Sequence, residues 1–236
     1  MSVITISGSL GSGAIDIGRA VAKSLKFDYV DREILSEAAR TLGVSMAAVA
    51  NRDERTPHFR ERLASFFRDF VERSAAAGAS DPLMGTGGLE MLMATTYGEA
   101  AALPPRGATE INDTRYKETI TSIMTDLAER GNVVIIGRGS QAILKDRPTC
   151  LHVCTTAPFD LRVQRIAARD ETTREAARQR VCESDRGRTD FHRKYFKIDP
   201  TDPNHYDLTV NTVHLSDKQA AELIVAAYRR RRAGSG

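Results

Sequence analysis

Tryptophan is absent from this sequence of 236 residues, and cysteine occurs three times. Cys150, Cys154 and Cys182 lack the CxxC spacing that many zinc sites share. A zinc site or a disulfide framework is therefore not expected, and the three cysteines are interpreted as free thiols.

Long apolar runs are missing as well. The longest stretches, such as residues 133–137 and 223–227, are far too short to span a bilayer. Met1 leads directly into a strand-like run and not into the pattern of a signal peptide. These features predict a cytoplasmic protein with no membrane partner.

A strong excess of charge of one sign is also lacking, since the formal net charge is +3 with 28% charged residues. So small a net charge does not by itself indicate nucleic acid, and no nucleic-acid partner is predicted. Basic residues do cluster between Arg162 and Lys197 and at residues 229–232. This clustering favours an anionic small-molecule ligand.

Five short apolar or β-branched runs alternate with helical patterns, as in an α/β protein. The predicted strands are residues 3–7, 27–30, 132–137, 151–155 and 207–212. Such alternation predicts a three-layer fold with a mostly parallel sheet of about five strands flanked by helices. Ligands should bind at the carboxyl ends of the strands. The length suits a single domain over residues 1–236.

Two helix starts carry the pattern of a capping box, in which a hydroxyl and a Glu or Gln side chain satisfy exposed backbone amides. The pairs are Thr172 with Glu175 and Ser216 with Gln219. Each pair predicts the beginning of a helix.

The long segment between the second and third strands, residues 44–113, is interpreted as a helical and partly flexible insertion. One amphipathic pattern in it carries an apolar stripe of Phe59, Leu63, Phe66, Phe67 and Phe70. Three explanations are open for this stripe, namely a packed core, a dimer surface and the hinge of a lid. A homodimer therefore stays open.

A glycine-rich loop falls directly between the first strand and the first helix, where backbone amides and the positive end of a helix can bind phosphate. We predict nucleotide-phosphate contacts from Gly8, Ser9, Leu10, Gly11, Ser12, Gly13, Ala14 and Ile15. Alignment with the P-loop pattern places Ala14 at the lysine and Ile15 at the magnesium-binding hydroxyl. The other interpretation is that these glycines only form a tight turn.

Asp16 lies in the first turn of the helix that follows this loop. A carboxylate there interacts favourably with the helix dipole, but it competes with phosphate for the same amides. Asp16 is expected either to point outward or to hold a metal ion.

Three separated stretches, VITISGSLGSGAIDIGRAVAKSLKFDYVDREIL, NVVIIGRGSQAIL and ESDRGR with YFKIDPTDPNHYDLTVNT, resemble the cytidylate kinase-like family. The stretch from about residue 51 to 112 carries none of the resemblance. The resemblance implies a P-loop nucleoside monophosphate kinase with ATP and Mg²⁺ as cofactors and nucleotides as substrates. Ile15 stands where relatives are expected to have an arginine.

The resemblance also implies an acceptor site. The Gly-Arg-Gly motif around Arg138 is similar to a family motif whose arginine holds the acceptor phosphate. Asp185 and Arg188 are similar to a family element whose aspartate reads cytosine and whose arginine binds phosphate. Asp31 and Arg32 follow the second strand, where such kinases contact the acceptor. For Arg138, Asp185 and Arg188 an ordinary structural ion pair is the open alternative.

Arg162, Arg165 and Arg169 recur at helical spacing in a region, residues 158–197, that resembles a kinase lid. With Arg138 they are the predicted catalytic residues, because arginines that close over the phosphates could replace the absent lysine. The other explanation is a solvent-facing basic helix.

Three functions are compatible with these features. The first is phosphoryl transfer from ATP to CMP or dCMP. The second is a catalytically impaired nucleotide-binding regulator, indicated by Ala14 and Ile15. The third is a kinase for another small acceptor, since fold likeness does not decide the acceptor.

Overall fold

The computed structural model describes residues 2–41, 65, 68–69, 72, 86–103 and 113–233. The apolar stripe expected at residues 59–70 lies outside these residues at every one of its five positions.

The predicted parallel sheet is confirmed. Its strands are β1 (Val3–Gly8), β2 (Asp28–Val30), β3 (Val133–Ile136), β4 (Cys150–Thr156) and β5 (Leu208–Asn211). They pair in the order β2-β3-β1-β4-β5, and every pairing is parallel. Because β1 lies between β3 and β4, the carboxyl ends of these three strands meet at one edge of the sheet, where ligands bind in such folds.

Helices alternate with these strands along the chain. Numbered over the described residues, they are α1 (Ala14–Leu25), α2 (Arg32–Thr41), α3 (Thr86–Ala94), α4 (Tyr97–Ala102), α5 (Asp113–Arg130), α6 (Ser140–Ile143), α7 (Phe159–Arg169), α8 (Arg174–Phe196) and α9 (Asp217–Ala233). A short 3₁₀ helix covers Pro203–His205. Within the described ranges, no helix combines the length and the apolar composition needed to cross a membrane.

The core follows from the alternation of side chains along β1. Ile4 and Ile6 are fully buried and pack with α1 and α9. Thr5 and Ser7 are buried too, because each has a polar partner: Thr5 Oγ1 lies 2.7 Å from His152 Nδ1, and Ser7 Oγ accepts from Arg188. Paired in this way, the polar positions of a central strand are buried without an unsatisfied hydroxyl.

One of the two expected helix caps is confirmed and the other is wrong by one residue. The Ser216 hydroxyl accepts from the amide of Gln219 at 3.3 Å, while the Gln219 side chain accepts from the amide of Ser216 at 2.9 Å. At the start of α8 the cap is Thr173, not Thr172, and its hydroxyl accepts from the amide of Ala176. Thr172 instead donates its amide to Ala167 as α7 ends.

The chain divides into two compact units. The first comprises Met1–Val30, Thr96–Ala102 and Lys117–Gly236, and the second comprises Asp31–Thr95 and Leu103–Tyr116. The first unit contains the sheet. In the second, α2 packs against α3.

Candidate functional site

Side chains from other elements hold the loop between β1 and α1 by donating hydrogen bonds to its carbonyl groups. Arg162 donates to the carbonyl of Leu10 at 3.1 Å, and Arg165 donates to that of Gly11 at 3.2 Å. Thr212, just after β5, donates to the carbonyl of Ser12 at 3.1 Å. Three successive carbonyl groups are therefore fixed on one side of the loop.

This arrangement directs amide groups to the other side. In a trans peptide the N–H points opposite to the preceding C=O, so the amides of Gly11 and Gly13 face away from Arg162 and Thr212. The amide of Ser12 is used inside the loop and donates to Ser9 at 3.0 Å. Among the described residues, no side chain caps α1 at Gly13. The N-terminus of this 12-residue helix, with amides oriented in this way, is suited to bind an anion.

The loop has no room for larger residues at its most constrained position. Gly11 has a φ of +83°, and a Cβ added there would lie 2.8 Å from the carbonyl oxygen of Arg162. The expected phosphate loop is therefore closely packed against the first turn of α7 and has the left-handed backbone that glycine permits.

Two carboxylates lie near the start of α1. Asp217 Oδ1 is 3.2 Å from the position that a Cβ on Gly13 would take, and burial raises the pKa of Asp217, with Asp16 acting in the same direction and Arg165 opposing. Asp16 is largely exposed and lies 3.8 Å from Arg19. Within the described ranges no group of three or more His, Cys, Asp or Glu side chains is placed to hold a metal ion. The metal role expected of Asp16 stays a prediction.

The three arginines of α7 differ in what they contact. Arg162 is buried and forms a bidentate pair with Asp185, at 3.0 and 2.7 Å, besides its bonds to the carbonyls of Leu10 and Ala157. Arg169 is half exposed and pairs with Asp170 at 2.7 Å.

The predicted acceptor arginine Arg138 lies in an unusual turn after β3. Gly137, Arg138 and Gly139 have successive φ values of +68°, +58° and +70°, and the amide of Ser140 donates back to Gly137 at 3.0 Å. A left-handed residue with a side chain costs about 1–2 kcal/mol, so the surroundings must hold this turn. Arg138 is buried there.

Arg188, the second predicted phosphate ligand, is buried at the carboxyl end of β1. One of its nitrogens, Nη2, donates to Ser7 Oγ at 3.0 Å, to the carbonyl of Pro200 at 3.1 Å and to the Tyr206 hydroxyl at 3.3 Å. Among the described residues, its Nε has no hydrogen-bond partner. Burial raises the pKa of Tyr206, so this phenol stays a neutral neighbour of the guanidinium.

A buried histidine links the Arg138 turn to the helix of Arg188. His192 Nδ1 lies 2.7 Å from the carbonyl oxygen of Arg188, and His192 Nε2 lies 2.9 Å from Gln141 Nε2. A carbonyl only accepts, so Nδ1 carries the proton and Nε2 accepts from the Gln141 amide. His192 thus has to be neutral for both bonds to form.

This neutrality predicts an acid-sensitive stability. Burial lowers the pKa of His192 to about 4, whereas an unfolded histidine titrates near 6.5. As the pH falls through this window the unfolded chain binds the proton first, so the free energy of unfolding decreases by about 2 kcal/mol between pH 7.5 and pH 5. The free energy of unfolding reaches its full value above the pKa of an unfolded histidine, where both states are neutral.

Urea unfolding of the wild type and His192→Asn at several pH values measures this effect. The variant should show a flatter slope below pH 6.5, with a remainder from His152, whose pKa burial also lowers. An unchanged slope in the variant would show that His192 is not the group responsible.

Asp31 and Arg32 belong to the second unit. The carboxylate of Asp31 accepts from the amide of Ile34 at 2.9 Å and so caps α2. Arg32 donates to the carbonyl of Ala94 at the end of α3. Their expected contact with the acceptor stays a prediction.

Several residues of the site were missed by sequence reasoning. They are Ser7, Tyr97, Gln141, His192, Tyr206, Thr212 and also Thr155, whose Oγ1 lies 2.8 Å from the Oγ of Ser12 in the loop. For Ser7, Thr155 and Thr212 the position at a strand end was an available signal. Sequence reasoning found no motif around Tyr97, whose hydroxyl accepts from the amide of Arg138 at 2.7 Å.

Sequence comparisons relate the chain to a known family. The model of the cytidylate kinase-like family matches residues 3–214. A cytidylate kinase from Methanopyrus kandleri is 28% identical over 111 residues, covering 43% of this chain and 57% of that protein. A cytidylate kinase from Aeropyrum pernix is 33% identical over 119 residues, covering 50% and 69%. The chain thus spans less than two thirds of the length of the Methanopyrus kandleri protein.

Among solved structures, an uncharacterized protein from Eubacterium ventriosum has a TM-score of 0.59 at 15% identity. The match covers 97% of this chain and 99% of that one. At this identity the likeness supports the fold alone.

Proposed function

Because the chain belongs to the cytidylate kinase-like family, we propose that it transfers the γ-phosphoryl group of ATP to a pyrimidine nucleoside monophosphate, CMP or dCMP. The observation that carries the proposal is the loop of residues 8–15, whose carbonyl groups are fixed outward by Arg162, Arg165 and Thr212. Amides preorganised in this way suit the phosphates of ATP, because they need no rearrangement when the anion arrives.

Arg165 is proposed to supply the charge that Ala14 lacks. A P-loop lysine neutralises negative charge on the transferring group, and a cation near the loop can do part of this work at longer range. Arg165 is the candidate because its bonded partners are neutral, whereas Arg162 and Arg169 each pair with an aspartate. In this proposal Arg162 positions the loop, and Arg169 contributes the least.

The acceptor phosphate is proposed to bind Arg138 and Arg188. Both are buried, and a guanidinium group removed from water gains strongly from an anionic partner. Asp185 is one-third exposed and already holds Arg162, yet each of its oxygens can accept a further hydrogen bond. An exocyclic amine of cytosine is a donor that suits it, whereas uracil offers a carbonyl there.

Mg²⁺ is proposed to accompany ATP and to be held mainly by its phosphates and by water. Mg²⁺ commonly keeps several waters and takes only one or two protein carboxylates. Asp16 is the carboxylate in the first turn of α1, directly after the loop, and its exposure leaves it accessible to the ion. The ion would supply charge neutralisation on the donor phosphates.

A regulatory nucleotide-binding protein is the second candidate, and Ala14 and Ile15 favour it. Neither side chain can contact a phosphoryl group through a charge or a hydroxyl. In that case the loop would bind a nucleotide but not turn it over.

An acceptor screen separates these functions. With ATP and Mg²⁺ present, ADP release should increase when CMP or dCMP is added and should increase much less with UMP, AMP or shikimate. A thermal shift caused by ATP without ADP release under any acceptor would favour the regulatory protein. Stimulation by an acceptor other than a pyrimidine nucleotide would favour a different kinase.

A further inference from the structure

Helix α4 comes from residues 51–112, a stretch in which the sequence alone showed no motif, yet it is attached firmly within the first unit. It is only six residues long, and a capping box at Thr96 and Glu99 begins it, with bonds of 2.7 and 3.3 Å. A Cβ on Gly187 of α8 would lie 2.8 Å from the amide nitrogen of Gly98, so the two backbones are in direct contact. At the other end, Tyr195 donates to the carbonyl of Ala100 at 2.7 Å.

This attachment brings one side chain to the Arg138 turn. The ring of Tyr97 packs on Phe191 and His192, with centroids at 4.8 and 5.7 Å. Its hydroxyl then accepts the amide of Arg138 at 2.7 Å. Because the ring is held between aromatic neighbours, the position of the hydroxyl is defined, and so is the amide that it binds.

The Arg138 turn needs such a partner. Three successive left-handed residues include one with a side chain, Arg138, and the amide of this residue donates to the Tyr97 hydroxyl. If the φ of Arg138 moved to the ordinary negative range, the direction of its Cβ would change, and the guanidinium group would leave its place.

We infer that Tyr97 is a positioning residue for the acceptor, which acts by holding Arg138 in the left-handed conformation that directs its side chain to the acceptor phosphate. The inference rests on the proposed function for the identity of the acceptor. It assigns a specific part in substrate binding to a stretch in which the sequence alone showed no motif.

The test compares Tyr97→Phe with Tyr195→Phe. Each variant removes one phenol hydroxyl that bonds a backbone group of the first unit while keeping the ring. The Tyr97 hydroxyl accepts from the amide of Arg138, whereas the Tyr195 hydroxyl donates to the carbonyl of Ala100 in α4. For Tyr97→Phe we expect the KM for CMP to rise about tenfold, as the loss of one buried bond implies, while the KM for ATP stays near its original value.

A second measurement does not depend on turnover. Hydrogen exchange at the Arg138 amide, followed by ¹H–¹⁵N NMR, should become about tenfold faster in Tyr97→Phe and stay at the wild-type rate in Tyr195→Phe. Equal acceleration in both variants, or none in Tyr97→Phe, would overturn the inference. If exchange accelerates selectively but the wild type does not use CMP, the proposed function fails while the positioning of Arg138 by Tyr97 stands.

Discussion

Gly11→Ala should abolish most nucleotide binding and lower the melting temperature markedly. The left-handed φ of +83° and a Cβ only 2.8 Å from the carbonyl oxygen of Arg162 leave the new methyl group no place. The backbone conformation and the overpacking together cost about 2–4 kcal/mol. Because the two nearest atoms, the carbonyl oxygen and the Cα of Arg162, belong to the backbone, the loop must move, and its fixed carbonyl groups lose their partners. Melting curves with and without ATP and Mg²⁺ measure both effects.

Gly98→Ala is the matched control for this substitution. Gly98 lies within helix α4, and a Cβ added there meets nothing within 4 Å. In a helix the change from glycine to alanine is neutral or stabilising by up to about 1 kcal/mol. If Gly11→Ala kept the ATP-induced shift of the wild type, the loop of residues 8–15 would not be the phosphate site.

Arg162→Met should destabilise the protein by about 3–4 kcal/mol. The substitution leaves the Asp185 carboxylate without its bidentate partner and removes the donor from the carbonyls of Leu10 and Ala157. The Arg162 side chain is buried, and the Asp185 carboxylate, which is one-third exposed, regains only part of its hydration when it loses this partner, so the loss costs more than the pair itself contributes. Urea unfolding measures the difference.

Arg169→Met provides the comparison on the same helix, two turns away. Arg169 is half exposed and its ion pair with Asp170 lies at the surface, so its loss should cost less than about 1 kcal/mol. Adding Asp185→Asn to Arg162→Met should restore part of the stability by removing the uncompensated charge. Equal losses in Arg162→Met and Arg169→Met would contradict the role given to Arg162.

The sheet was predictable because its signals are local. Each of the five strands is a short apolar or β-branched run, and the structure places all five within one or two residues of the expected bounds. Alternation with helices then required parallel pairing, which was confirmed. Thr172 was the local error: two threonines stand side by side at the start of α8, and the pattern alone did not distinguish them.

The site was less predictable because its contacts join distant parts of the chain. The loop glycines follow a strand and could be found, but the partner of Arg162 is 23 residues away, and that of Arg165 is 47 residues away at Thr212. Spacing on one helix suggested three equivalent arginines. Their environments differ because α7 turns one of them toward Asp185, one toward the loop and one toward solvent.

Tyr97 shows most clearly why part of the site could not be predicted from the sequence. Its role depends on a backbone contact between Gly98 and Gly187, which are 89 positions apart and carry no pattern that pairs them. Only the folded chain brings its hydroxyl to Arg138.

The central claim is that a loop without lysine still supports phosphoryl transfer to CMP. ³¹P NMR of the purified protein with ATP, Mg²⁺ and CMP tests it directly by following the resonances of the products. We predict that CDP and ADP appear together in equal amounts, and that Gly11→Ala forms neither. ATP that binds and persists with CMP unchanged would contradict the claim and leave a nucleotide-binding protein without transferase activity.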